Sequence, residues 1–239
     1  AAGLVMLTLL TGCSTTSSSN QPAGEPLYVG VTANYPPIIA RDGEKFVGLD
    51  ADLARRVAKG LDRPLYFIET KWEQQIPALL KGDVDIIMSG MSITDPRKVR
   101  IAFSEPYLET GLVAMTRRKD LDKYTAETIK DEILRVSYLK GTTGEKFVVE
   151  NFPKASKRGY TLGKDAAADL IRNRVDVFIH DGPAVAWLTS ANESELAVIY
   201  HLWTRDDLGW GMRHGDTELL NEVNRLLAGW KEDGTLSRD

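Results

Sequence analysis

Residues 27–31 (LYVGV) form a short apolar run that predicts a buried strand. In residues 48–61 (GLDADLARRVAKGL), Leu49, Leu53, Val57 and Leu61 recur every four positions with charges opposite them, which predicts an amphipathic helix. A second strand is predicted over 65–69, a short helix over 74–81 and a third strand over 84–89 (VDIIMS), with Gly, Pro or Asp between them. Residues 134–139 read as a further strand that opens into a helical stretch. Near the end of the chain, residues 217–231 place Leu219, Leu220, Val223, Leu226, Leu227 and Trp230 on one helical face, predicted to pack back on the first lobe. Strands alternating with helices argue for an α/β fold with a largely parallel sheet.

The chain also echoes itself. Residues 79–90 (LLKGDVDIIMSG) match residues 170–181 (LIRNRVDVFIHD) position by position: helix end, turn, then a buried strand stopping on small or polar residues. This predicts a duplicated architecture, with Ser89 and Gly90 in one lobe equivalent to His180 and Asp181 in the other. Ligands of open α/β sheets bind beyond the carboxyl ends of the strands, so two such lobes face to face make a cleft.

Composition narrows the function classes. The 239 residues are 27% charged and 43% hydrophobic, ordinary for a globular protein with room for two lobes. A net charge of −4 gives no electrostatic reason to bind nucleic acid. The single cysteine, Cys13, excludes an internal disulfide, and His180, His201 and His214 lack the company of a zinc site, so neither metal nor cofactor is expected. The apolar residues 1–12 (AAGLVMLTLLTG) read as a signal-peptide remnant too short to span a bilayer. Leu10-Thr11-Gly12-Cys13 resembles the lipobox of bacterial lipoproteins, which implies lipidation of Cys13, and the polar residues 14–24 read as a flexible tether.

The segment 89–111 (SGMSITDPRKVRIAFSEPYLETG) carries candidate chemistry. It offers the Gly90 amide and the Ser92 and Thr94 hydroxyls, and Thr94 or Asp95 can cap a turn presenting Arg97. An arginine fork beside free donors suits a carboxylate, although Lys98 and Arg100 nearby equally fit a solvated basic turn. Residues 140–144 (KGTTG), between a strand and a helix, can form an anion nest from backbone amides; the spacing is not that of a P-loop.

Taken together, Gly48-Leu49-Asp50-Ala51-Asp52-Leu53, Ile76-Pro77-Ala78-Leu79, Val84-Asp85-Ile86-Ile87, Ser92-Ile93-Thr94-Asp95-Pro96-Arg97, Phe103-Ser104-Glu105-Pro106-Tyr107, Lys140-Gly141-Thr142-Thr143-Gly144 and Asp233-Gly234-Thr235 resemble the extracytoplasmic solute-binding proteins of polar amino-acid ABC transporters. The resemblance implies a two-lobed, type II periplasmic-binding-protein-like α/β fold joined by two hinge strands. Its expected organisation is a leader at 1–12, a lipidated Cys13 with linker over 13–25, lobe 1 at 26–110 plus 206–239, and lobe 2 at 111–205. It further implies that Arg97 clamps a ligand α-carboxylate with Ser92 and the amide of Thr143 or Gly144. Asp181 would take the α-ammonium with Ser89 and the Gly90 carbonyl, and Tyr35 and Trp72 would sandwich the ligand side chain. Where basic-amino-acid binders often carry an aspartate this chain has Thr32, and Lys140 and His180 fall where polar side-chain contacts are made; a polar or acidic amino acid is therefore expected.

The implied partners are that ligand, a membrane permease and the membrane itself through the lipid, with the chain acting as an extracytoplasmic monomer and not as an enzyme. Two alternatives stay open at this point. One is an enzyme resembling cyclohexadienyl dehydratase, with Glu73, Glu145 or His180 as the acid. The other is a ligand-sensing module.

Overall fold

The computed structural model describes residues 24–236. The expected leader, Cys13 and the tether up to residue 23 lie outside the described residues. Two five-stranded sheets organise the rest. In the first, the order is Leu65–Glu69, Leu27–Val31, Ile86–Ile87, Gly211–Met212 and Ala102–Phe103. In the second it is Ser156–Tyr160, Arg135–Leu139, Val177–Asp181, Leu112–Arg117 and Leu196–Ile199. In both, three parallel strands are followed by a fourth that runs antiparallel to the third and a fifth antiparallel to the fourth. The chain leaves the first sheet along Leu108–Thr110 and returns along Asp206–Leu208, and these two segments pair antiparallel.

Hydrophobic burial explains the layers. The amphipathic helix Leu49–Gly60 buries Leu53, Ala54 and Val57 against the Leu27–Val31 strand. The last helix, Thr217–Glu232, adds Val223 and Leu227 to the same cluster, as its apolar face predicts. Leu79, Val84, Ile87 and Ile101 close the other face of that sheet. In the second lobe, Phe178 and Val177, neighbours on one strand, enter separate clusters on opposite faces, as strand alternation requires.

Two expectations are refined. The third strand of the first sheet is assigned only over Ile86–Ile87, because its ladder is short; the flanking amides of Asp85 and Met88 still donate to Tyr28 and Gly30 carbonyls at 2.8 and 3.0 Å. Thr94 stands at the cap position of the short helix Asp95–Lys98 but makes no side-chain cap. Pro96, with its fixed φ in the first turn, suits the helix start instead.

The internal echo is repeated in the hydrogen bonds. Arg213 donates to the carbonyls of Leu79 and Val84 at 3.1 and 2.6 Å and pairs with Asp85 at 3.3 Å and Asp216 at 2.7 Å. Arg117 donates to the carbonyls of Leu170 and Val175 and pairs with Asp176 and Asp120. Asp85 accepts the Tyr28 amide and Asp176 the Arg135 amide, both at 3.0 Å. Each carboxylate thus pins the strand that follows it to the neighbouring parallel strand, and each arginine ties the antiparallel fourth strand to the preceding helix end. Against the effect of burial, hydrogen bonds from the Arg135 side chain and amide and from the Arg117 guanidinium hold the Asp176 carboxyl well below the usual carboxylate range.

Arg117 is buried, so Arg117→Met should remove the buried cation shared by Asp120 and Asp176, leaving them only the more exposed Lys123 and Arg135, and cost about 3 kcal/mol of stability. Urea unfolding monitored by circular dichroism measures this; a loss under about 1 kcal/mol would show that the network is dispensable.

Candidate functional site

A cavity of about 400 Å³ lies where the carboxyl ends of the two sets of parallel strands meet. Thr32 follows one strand of the first sheet, and Ser89 and Gly90 follow another. Lys140 follows a strand of the second sheet, and His180 and Asp181 end the one beside it. Of the residues expected at a site, Tyr35, Trp72, Ser89, Gly90, Ser92, Arg97, Lys140, Thr143 and Asp181 all line this cavity. Gly144 does not; it is buried behind the wall, where an added Cβ would stand 3.0 Å from the Ile179 carbonyl oxygen.

Arg97 projects from the short helix after the Ser92 loop. Its Nη1 donates to the Ser92 carbonyl at 2.8 Å, and its Nη2 reaches the Gly141 carbonyl of the other lobe at 3.3 Å. The guanidinium lies 5.3 Å from the centre of the Trp72 ring, and burial lowers its pKa, which for arginine still leaves it charged at neutral pH. Trp72 Nε1 donates to the same Gly141 carbonyl at 2.9 Å. Trp72 thus stands beside Arg97 and also joins the lobes directly. Glycine at 141 permits this, since its φ is +74° and a Cβ there would meet the indole at 3.2 Å.

Facing Arg97 is the first turn of the helix Thr143–Asn151. The Thr142 hydroxyl caps it, accepting the Glu145 amide at 3.4 Å and donating to the Leu139 carbonyl at 2.7 Å. Glu145 Oε2 accepts the Gly141 amide at 2.7 Å, so this carboxylate serves the turn. The first amides of a helix have no carbonyl within it to bond, and their dipoles favour an anion. Thr143 brings one of them to the cavity wall beside the arginine.

The cavity also carries acceptor chemistry. Asp181 is 5% exposed; its Oδ2 accepts the Tyr35 hydroxyl at 3.0 Å, while its Oδ1 is buried without a partner. Burial pushes the Asp181 carboxyl up, opposed by His180 and the Tyr35 hydrogen bond. Tyr35 is itself pushed well above 10 by burial and by Asp181. His180 Nδ1 lies 3.7 Å from Asp181, but burial lowers the imidazole pKa, so at neutral pH this is contact with a neutral ring and not an ion pair. That nitrogen is also buried and unpartnered. Orphaned buried polar atoms are costly and rare, so Asp181 Oδ1 and His180 Nδ1 on the wall of one cavity point to a polar group supplied from outside the chain.

Beneath the site lies a carboxylate that sequence reasoning did not single out. Asp50, in the first turn of the helix Leu49–Gly60, is fully buried; Oδ2 accepts the Gly90 amide at 2.6 Å and Oδ1 the Trp210 indole at 3.1 Å. It holds the turn at Gly90, whose φ is +63° and whose missing Cβ leaves room for Tyr35, 2.6 Å from where one would stand. Burial pushes the Asp50 carboxyl up to about 6 against the pull of these donors. In the sequence Asp50 is indistinguishable from Asp52, its exposed neighbour in the same turn. Asn34 and Thr161 also line the cavity and likewise carry no signal in the sequence. Thr32 is engaged within its own lobe, donating to the Thr70 carbonyl at 2.9 Å and accepting from Gln75 at 2.8 Å.

A carboxyl whose pKa is raised by folding opposes stability when ionised and ceases to as it protonates; Asp50 and Asp181 therefore make the protein more stable as pH falls from 7 through about 6 towards 5. Asp50→Asn should reduce that gain in a pH series of thermal melts, and an unchanged slope would show Asp50 is not its source. Trp72→Phe keeps a ring beside Arg97 but loses the bond to Gly141, about 1 kcal/mol of closure and roughly a fivefold smaller closed-to-open ratio. Small-angle scattering should then give a larger radius of gyration; no change would show that this bond does not hold the lobes.

Comparison with known proteins agrees with the fold. Residues 27–238 match the model of the bacterial extracellular solute-binding proteins, family 3. The ABC transporter arginine-binding protein 1 of Escherichia coli strain K12 is 31% identical over 222 residues, 90% of this chain and 89% of the relative. The L-cystine-binding protein TcyJ of the same strain is 29% identical, over 88% of this chain and 79% of its own. Among solved structures, an ancestral amino acid-binding protein, a precursor of cyclohexadienyl dehydratase, superposes with a TM-score of 0.83 at 35% identity, covering 89% of this chain and 92% of that one. An ancestral arginine-binding protein bound to arginine gives 0.83 at 28% identity, covering 91% and 96%. The chain therefore belongs to family 3 of the bacterial extracellular solute-binding proteins, with the two-lobed α/β fold of the type II periplasmic binding proteins.

Proposed function

We propose that this protein captures a polar or acidic L-amino acid between lobe 1 (26–110 and 206–239) and lobe 2 (111–205) and delivers it to the permease of an ABC transporter. The observation that carries the reading is the chemistry lining one cavity: Arg97 and Thr143, the first residue of a helix, share it with Asp181, which has an unpartnered oxygen. A zwitterion satisfies both at once. Its carboxylate replaces the Gly141 carbonyl as the acceptor for Arg97, and its ammonium gives Asp181 Oδ1 a donor. Ser92 assists at the carboxylate, and Ser89 and the Gly90 carbonyl at the ammonium. The two grips belong to different lobes, so the ligand favours closure by its differential contacts, and closure is the signal a permease reads. Lipid on Cys13 would keep the monomer at the outer face of a membrane.

The dehydratase-like reading is weaker on the same observations. Glu145 is committed to its helix turn, and the unpartnered Asp181 oxygen calls for a donor that prephenate, which has no ammonium group, does not supply. Glu73, on the cavity wall, remains without a partner among the described residues, so the rival is tested alongside.

Calorimetric titration with the twenty amino acids, and with prephenate and arogenate under observation for product, decides between them. Tight binding of one or a few amino acids without turnover is expected; turnover of either substrate would overturn the binding-protein reading. Arg97→Ala should cost on the order of 2 to 5 kcal/mol of that binding, and Asp181→Asn should weaken amino acids far more than their α-deaminated counterparts. Survival of affinity in the first variant, or equal losses in the second, would remove the corresponding role.

A further inference from the structure

The cavity is open on one side. Past Thr32, Trp72 and His180, which wall both spaces, it continues into a groove of about 950 Å³ between the lobes. One bank belongs to lobe 1, formed by the Ile39–Asp42 strand and the residues after Leu65–Glu69. The other belongs to lobe 2, formed by the start of the helix Gly163–Ile171 and one face of the helix Gly182–Ser190. On that face Trp187, 49% exposed, lies with Ala184 and Leu188 and makes the bank apolar.

Charge along this path is uneven. Arg41 and Glu69 pair with each other at 2.7 Å, so neither calls for a counter-ion. Lys71 and Lys164 line the groove and Lys140 the cavity, and their side chains form no ion pair or hydrogen bond among the described residues. Apart from Asp181, Glu73 is the one carboxylate on either wall left without a partner among the described residues. Walls of low dielectric with an excess of one sign concentrate the opposite charge. Thr32 and His180, at the junction, are neutral, and His180 Nδ1 is free to bond a polar group passing between the two spaces.

We propose that the ligand is an α-amino acid with an elongated side chain ending in an anionic group. The head occupies the cavity, the middle of the chain passes His180 and lies along Trp187, and the terminal anion meets Lys71 and Lys164. Because those two lysines stand on opposite banks, the tail bridges the lobes as the head does and adds to closure. This rests on the amino-acid reading above and extends it to the size and charge of the substrate.

The test uses the described protein with three probes sharing one head: L-glutamine, γ-L-glutamylglycine, and the C-terminal amide of that dipeptide, which is as long but lacks the terminal charge. Calorimetry should show the dipeptide acid binding about fivefold or more tightly than its amide, the scale of two partly exposed ion pairs. In the double variant Lys71→Gln/Lys164→Gln that ratio should fall towards one while affinity for L-glutamine stays within about twofold. Tight L-glutamine binding with both dipeptides excluded would overturn the elongated ligand and leave the amino-acid site intact. Equal binding of acid and amide, or a ratio unmoved in the variant, would overturn the anionic terminus. If none of the three probes bound, the head reading itself would fall.

Discussion

The cavity depends on keeping opposite charges apart from each other and only partly satisfied. Arg97 and Asp181 stand on different lobes at one water-poor wall, and each has a makeshift partner from across the cleft: the Gly141 carbonyl for the guanidinium, the Tyr35 hydroxyl for the carboxylate. Neither partner carries a full charge, so both bonds are weaker than the charge-assisted pairs a zwitterion would supply. A neutral stand-in of this kind limits the desolvation cost of the empty site without competing fully with the ligand. The raised pKa of Asp181 expresses the same imbalance, because burial outweighs the opposing pull of His180, the Tyr35 hydrogen bond and the Arg97 charge.

Two duplicated frames hold these groups in place. The Arg117 and Arg213 networks fix the third strand of each sheet at the same height, so that His180 and Asp181 arrive at the cleft where Ser89 and Gly90 arrive from the other side. From that common plan the lobes diverge after the first strand. In lobe 2 the helix Thr143–Asn151 starts at once and aims its first amides at the cavity. In lobe 1 the hairpin strands Asn34–Tyr35, Ile39–Asp42 and Lys45–Val47 intervene, and the helix start turns inward to place Asp50 beneath Gly90. One lobe thus presents donors directly, and the other uses a buried carboxylate to shape the loop that presents Ser89, Gly90 and Ser92.

Much of this was legible along the chain because it is written in local periodicity. The four-residue spacing of Leu49, Leu53 and Val57 and the apolar run at 27–31 yield the observed elements, since a helix stripe or a buried strand must be apolar to be stable. The echo between 79–90 and 170–181 is legible for the same reason, with Asp85 and Asp176 at matching positions. Arg97 was legible as a carboxylate candidate from its turn and neighbouring donors, and Asp181 as a strand end from the echo, but their distinct roles, and Tyr35 altogether, came only through resemblance to a family.

What the sequence determined by itself is the order of elements, the duplicated plan and the family, all of which arise from short-range pattern. Only the tertiary structure decided which polar groups share a space. Asp50 differs from Asp52 only because one side chain meets Trp210 and Gly90, distant in sequence, while the other meets water. Trp72 becomes a bond between lobes because Gly141 lies opposite it, and Gly144 is withdrawn behind the wall by the Ile179 carbonyl. Burial, orphaned atoms and shifted pKa values depend on neighbours brought together by folding, and a linear pattern does not encode those neighbours.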